Sequence, residues 1–318
     1  MRAWRITRTG APLDVMELVP DADLPVPGPG QLLVRVRAAA VNFPDALMAA
    51  GQYQVRPPLP FTPGVELCGE VTEGPRAGQR LIGTAELPAG AFAEHALMNA
   101  ATALPAPGHL DDAEAAGFHI AYQTAWFALH RRARLARGET LLVHAAAGGV
   151  GSAAVQLGKA AGAFVIAVVG GPEKASVARE LGADVVVDRR AGDFVTAVKE
   201  ATGGRGADVV FDPVGGPAFT GSTRCVAFEG RIVLVGFASG EIPAPPLGHA
   251  LVKNYSLLGL HWGLYATRDP AAVRACHAAL TALAPRPLVS ARLPLESAAT
   301  AVHDLAAGTT TGRLAIVP

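Results

Sequence analysis

The chain is poor in cysteine and lysine, modest in aromatics and carries no net charge. Three cysteines, Cys68, Cys225 and Cys276, lie far apart among 318 residues. An odd, sparse set without a Cys-x-x-Cys pair fits reduced thiols of a cytoplasmic protein better than a disulfide framework. Aromatics make up 6% of the chain, and 27 basic residues balance 27 acidic ones. That balance supplies no overall field to draw nucleic acid or an anionic membrane, although a local patch is left open. Only Lys159, Lys174, Lys199 and Lys253 are lysines, so basic charge is nearly all arginine. The longest apolar stretch, around residues 164–169, is far short of the ~20 residues of a membrane span. The opening MRAWRITRTG has no apolar run, and no signal peptide is expected.

What is present suits a folded enzyme-sized chain. Half the residues are hydrophobic and 17% are charged, with a mean hydropathy of +0.30. This rules out a mainly disordered chain. At ~100–200 residues per domain the length predicts two domains, or one large one. The 36 glycines and 25 prolines suit many tight turns.

The first ~115 residues read as short strands between Gly and Pro turns. Residues 32–36 (LLVRV) alternate apolar and charged side chains, as a half-buried strand does, and 69–71 and 80–83 read likewise. PPLPFTPG (57–64) must be a rigid loop, because proline lacks the N–H and restricts φ. From residue 140 the pattern changes. Apolar runs at 140–144, 164–169, 185–187, 208–211, 231–235 and 256–260 alternate with helical stretches. Six such runs predict a parallel sheet buried on both faces, a doubly wound Rossmann α/β fold. Helices are further expected over 270–283 and 296–307. A last strand, 313–317, is expected to return to the N-terminal β domain. The expected division is 1–118 with 285–318 for the β-rich domain and 119–284 for the nucleotide domain.

Between the first run and the first helix lies His144-Ala-Ala-Ala147-Gly148-Gly149-Val150-Gly151. Set against G-x-G-x-x-G it has alanine at the first glycine. The pattern makes the chain turn sharply, lets backbone approach a pyrophosphate and packs the helix close to the strand. The helix N-terminus then offers unpaired N–H groups to phosphate. An NAD site usually places Asp or Glu after the second strand. Here that strand ends at Gly170-Gly171, whereas Lys174 and Arg189 could meet a 2′-phosphate. NADPH is the expected cofactor. A turn used only for packing, with both cations solvated, is the bland alternative. Val214, Phe237 and Gly170 are further cofactor candidates at the carboxyl ends of the strands.

These residues resemble the zinc-independent quinone oxidoreductase branch of the medium-chain dehydrogenase/reductase superfamily, the relatives of zeta-crystallin. The matching stretches are Val41-Asn42-Phe43-Pro44-Asp45, Gly51-Gln52-Tyr53, PPLPFTPGVE (57–66), Tyr122-Gln123-Thr124-Ala125 and AAAGGVG (145–151). They continue through Leu181-Gly182-Ala183-Asp184, Asp212-Pro-Val-Gly-Gly216 and GRIVLVGFAS (230–239). The resemblance implies a GroES-like N-terminal domain with the Rossmann domain inserted, and a homodimer. It puts Asn42 and Thr124 near the nicotinamide and Asn42 and Tyr53 beside the acceptor, with Asp45 either orienting them or anchoring its loop. Zinc enzymes of the superfamily place ligands where this chain has Asn42, Val65 and a residue near Ile120. None of these binds zinc well, and the four-cysteine lobe is absent. Cys68 reads as buried and inert. His144 and His261 read as structural, although His261 and Trp262 follow the sixth strand and could line a substrate pocket.

The implied reaction is metal-independent, NADPH-dependent hydride transfer to a quinone or conjugated enone. A 2-alkenal or enoyl-thioester double bond is the alternative acceptor. A non-catalytic NADPH-binding or RNA-binding protein is the rival of another class. Expected partners are a small-molecule acceptor and a second copy of the chain, with no nucleic acid and no membrane.

Overall fold

The computed structural model describes all residues, Met1–Pro318. The chain forms two compact units, Met1–Ile120 with His277–Pro318, and Ala121–Cys276. Both crossings between them fall inside helices, His119–Trp126 and Pro270–Leu283. The expected second boundary, after residue 284, lies beyond this division because the second of these helices runs through it.

The first unit is built on a mostly antiparallel sheet. Its order is Val289–Pro294, Arg313–Val317, Gln31–Ala40, Glu66–Val71, Arg80–Thr84 and Leu104–Pro105, and His95–Asn99 also pairs with Gln31–Ala40. The last strand returns as expected, with Ala315 opposite Ala40 and Ile316 opposite Ala39. Its parallel neighbour, Val289–Pro294, went unread, although Val289, Ala291 and Leu293 alternate with exposed residues as in a half-buried strand. The core gathers Trp4, Met48, Phe61, Leu67, Leu81, Phe92 and Ile316. The indole of Trp4 donates to the carbonyl of Leu295 at 2.7 Å, tying the first strand to the returning segment.

The second unit is a six-stranded parallel sheet. Its order is Val185–Asp188, Phe164–Val169, Thr140–Val143, Ala207–Asp212, Val226–Leu234 and Ser256–Gly259. The order reverses at the first strand in sequence, so a crevice opens at the carboxyl ends, where doubly wound folds bind ligands. The central strands are buried at every position but Asp208, which is why they read as nearly continuous apolar runs. The fifth strand starts earlier than its apolar run, at Val226. No helix is long and apolar enough to cross a membrane.

Candidate active site

At the carboxyl edge of the parallel sheet, Thr140–Val143 leads through His144 into the glycine loop, and Gly148 caps the helix Gly149–Ala160. A Cβ at Gly151 would lie 2.1 Å from the Ala145 carbonyl oxygen. Only glycine lets the helix start this close to the strand. Gly148, Gly149 and Val150 remain partly exposed, while Ala147 is buried beneath them. The first N–H groups of this helix have no intrahelical acceptor and face outward for an anion.

His144 is structural, as expected. Its Nε2 lies 2.8 Å from Ser222 Oγ, and that hydroxyl donates to the Ala218 carbonyl at 2.8 Å. The imidazole therefore carries its proton on Nε2. Burial pushes its pKa down to about 4, against the opposing charge of Asp212.

The ends of the second and third strands form a cationic corner. A Cβ on Gly170 would sit 3.3 Å from Arg189 Nε, and one on Gly171 would sit 3.1 Å from an Arg190 terminal nitrogen. Two guanidinium groups thus lie directly over the backbone where an acid would stand in an NAD site. Lys174, in the first turn of helix Pro172–Glu180, joins them. Burial lowers its pKa, and the charges of Arg190 and Arg189 push the same way. Asp188 is spent on backbone, accepting from Gly171 N at 2.9 Å and Arg190 N at 3.0 Å. Sequence reasoning missed Arg190, although it follows Arg189 directly.

Val214 and Phe237 are brought together at the ends of the fourth and fifth strands. Asp212 Oδ1 accepts from Val214 N at 2.8 Å and Gly215 N at 2.9 Å. Ala238 N donates to Pro213 O and Ser239 N to Val214 O, both at 3.0 Å. A Cβ on Gly215 would come within 2.9 Å of the Phe237 ring. Phe237 is partly exposed rather than core. Thr124 lies in the interior of helix His119–Trp126. Trp262 is buried with its Nε1 3.3 Å from Gln123 Oε1, whereas His261 is exposed and not a satisfied core histidine.

In the first unit, Asn42 ends the turn after strand Gln31–Ala40 and precedes helix Phe43–Ala49. Its amide is held by three partners. Nδ2 donates to Ala40 O at 3.1 Å and Glu66 Oε2 at 3.0 Å, and Oδ1 accepts from Arg313 at 3.0 Å. Arg313 also pairs with Glu66 Oε2, and Ile120 N donates to Glu66 Oε1 at 2.6 Å. Both amide hydrogens and one lone pair of the amide oxygen are thus engaged within the protein. Glu66 and Arg313, both buried, went unread as site residues. Arg313 has no local signal, since it arrives from the far end of the chain. Burial raises the Glu66 pKa, with Arg313 the main opposing influence.

Asp45 anchors its loop. Its carboxylate accepts from the backbone N–H of Asn42 at 2.8 Å, Gly64 at 3.2 Å and Val65 at 3.1 Å. Gly64 takes φ +100°, and a Cβ there would meet Phe92 N at 2.5 Å. Burial pushes the Asp45 pKa up to about 7 against those three donors. Tyr53 is different. It is half-buried in the loop after the helix, and burial followed by the charge of Asp45 raises its pKa, so the phenol keeps its proton.

No group of three or more His, Cys, Asp or Glu side chains is placed to hold a metal ion. Where zinc ligands were looked for stand the amide of Asn42 and the hydrocarbon side chains of Val65 and Ile120, which do not fit zinc. Burial raises the Cys68 thiol to about 12, as befits an inert core cysteine.

Residues 149–277 match the family described as zinc-binding dehydrogenase, and residues 28–108 the alcohol dehydrogenase GroES-like domain. Quinone oxidoreductase-like protein 2 of Mus musculus is 40% identical over 275 residues, covering 84% of this chain and 77% of the mouse protein. The quinone oxidoreductase of Thermus thermophilus, solved alone and with NADPH, is 33% identical with a TM-score of 0.85 over 100% of both chains. A segment forming 15% of the phthioceranic/hydroxyphthioceranic acid synthase of Mycobacterium tuberculosis is 34% identical over 97% of this chain.

Proposed function

Because this chain belongs to the quinone oxidoreductase branch of the medium-chain dehydrogenase/reductase superfamily, we propose that it reduces quinones or conjugated enones with NADPH. The observation that carries this reading is the corner of Lys174, Arg189 and Arg190 over Gly170-Gly171, beside a glycine loop opening a helix. Fixed cations suit a 2′-phosphate, a near-dianion.

When bound, NADPH supplies the hydride. The N-terminus of helix Gly149–Ala160 holds the pyrophosphate through backbone N–H groups. Lys174, Arg189 and Arg190 hold the 2′-phosphate. Val214 and Phe237 flank the bound cofactor at the same sheet edge, and Thr124 is proposed to contact it. Asn42, held by Glu66 and Arg313, is proposed to contact the nicotinamide and the acceptor through the remaining lone pair of its Oδ1, and Asp45 fixes the loop backbone. No step is routed through a metal, since the residues at the zinc positions offer no fitting donor. Charge developing on the acceptor oxygen is met by the Tyr53 hydroxyl or by water. A quinone or enone takes hydride without stronger activation, which suits this sparse equipment. The acceptor is a small molecule, and the enzyme acts as a homodimer.

The synthase segment is the observation that favours the second reading, an alkenal or enoyl-thioester double bond as acceptor. NADPH oxidation measured with a panel of quinones, 2-alkenals and enoyl thioesters tests both. Fastest turnover with quinones is expected. Turnover confined to enoyl thioesters would select the alternative, and none with any acceptor would leave a non-catalytic NADPH-binding or RNA-binding protein.

A further inference from the structure

The parallel sheet has a second built feature at its other edge, away from the glycine loop. Lys199, Arg205, Arg224 and Lys253 line one cavity of about 310 Å³. Gly204–Gly206 precedes the strand Ala207–Asp212, and Lys253 precedes Ser256–Gly259, so the cavity sits at the amino ends of the strands. Two of the four lysines in the chain meet here, and no carboxylate lines the space.

Helix dipoles account for part of this clustering. Lys199, Arg224 and Lys253 each stand in the last turn of a helix, where a cation is favoured. Three helix C-termini supply at most roughly −0.5 charge each, against four full positive charges. An excess on the order of +2 to +3 remains, and Arg205 lies outside any helix. None of the molecule's ion pairs engages any of the four. Nearby Asp193 accepts from Val195 N and Thr196 N and feels the charge of Arg224, so it offsets part of this excess. Lys253 is held in place by the Thr223 carbonyl at 2.8 Å. Its pKa is lowered by burial, and the like charge of Lys199 adds to that. The cluster therefore keeps a net positive charge around a concave space. At its rim Phe228 is 72% exposed, an aromatic face free for a planar group to stack on.

We propose that this cavity binds a small phosphorylated ligand with a planar ring, a nucleoside monophosphate in chemical class. The phosphate lies among Lys199, Arg205, Arg224 and Lys253, and the ring lies on Phe228. The volume is at the lower end for ligand sites and suits one nucleotide better than a dinucleotide. This site is separate from the proposed cofactor edge and does not depend on it.

AMP and inorganic pyrophosphate, titrated calorimetrically into the full-length protein at low ionic strength, are the probes. Both should bind, AMP the tighter of the two, and binding should weaken as salt is added. Lys199→Gln and Arg205→Gln should each lower affinity for both probes roughly tenfold or more, as loss of a charge-assisted contact does. Phe228→Ala should weaken AMP alone. Gly170→Asp, altered at the other edge, should leave the far-edge affinity unchanged. Four results would overturn the proposal. These are no binding of either probe, AMP affinity indifferent to Lys199→Gln and Arg205→Gln, loss of all AMP binding in Gly170→Asp, or an oligouridylate binding there in preference to AMP.

Discussion

Gly170→Asp is the sharpest probe of the cofactor corner. Gly170 does not take a positive φ, so an L side chain is tolerated by the backbone. The new Cβ would lie 3.3 and 3.4 Å from two Arg189 nitrogens. These belong to the far end of a flexible side chain that can shift by a few tenths of an ångström. The new carboxylate would pair with Arg189 and take it from the 2′-phosphate. Losing one charge-assisted contact costs about 1.5–3 kcal/mol. Repulsion between the carboxylate and the phosphate adds about 3 kcal/mol per charge pair at ~5 Å and an effective dielectric near 20. Screening at this exposed edge removes roughly half of that. With the near-dianion counting as about two charge pairs, NADPH affinity should fall on the order of 10³–10⁴-fold, whereas NADH should hold its affinity or gain, because the acid can accept from its ribose hydroxyl. Fluorescence titrations of both cofactors measure the ratio directly. Lys174→Ala is the milder comparator, at roughly tenfold for NADPH, since Arg189 and Arg190 stay in place. An unchanged NADPH to NADH ratio in Gly170→Asp would refute the assignment of this corner to the 2′-phosphate.

Three further outcomes are expected. Tyr53→Phe should leave NADPH affinity intact, lower kcat/KM slightly with a quinone, and lower it up to ~10²-fold with an unactivated enone; equal rates for both acceptors would make the tyrosine only a wall. His119 and His144, pushed by burial to about 3 and about 4, bind protons more weakly folded than unfolded, so their stabilisation is present above about pH 6.5 and lost as pH falls. Asp45, pushed up to about 7, binds its proton more tightly folded, so its contribution is full below about pH 4 and lost as pH rises through 7. Asp45→Asn removes the opposing member. Denaturant unfolding at about pH 5 and 6.5 should show its stability rising more steeply with pH than wild type, by up to about 1.4 kcal/mol per pH unit; equal slopes would show that Asp45 is ionised throughout. The last strand of the parallel sheet, Ser256–Gly259, is an edge without charge or proline, which favours pairing with a second copy. Light scattering should give a dimer mass, and a monomer at micromolar concentration would count against that pairing.

The nucleotide-binding half was legible because its determinants are local. Six apolar runs, the helices between them and the glycine loop each announce themselves within a few residues, and burial on both faces makes the strands continuous apolar words. Gly151 is written into the loop by a steric demand that no other residue meets. Lys174 and Arg189 were readable because they follow their strands closely. The N-terminal unit was less legible. Its strands are short, and the alternation of Val289–Pro294 spans only six residues, soon after Pro285 and Pro287. Nothing near Asn42 in sequence foretold the two partners that tertiary structure supplies: Glu66, from the neighbouring strand, and Arg313, from the other end of the chain. The same holds for Asp45, whose three backbone donors come from two separated loops. The cationic cavity at the far edge is invisible in sequence as well, because its four side chains come from three helices and a loop between residues 199 and 253. Local steric and periodic demands are encoded where they act. The pairing of buried charge, by contrast, depends on which distant segments the fold brings within hydrogen-bond reach.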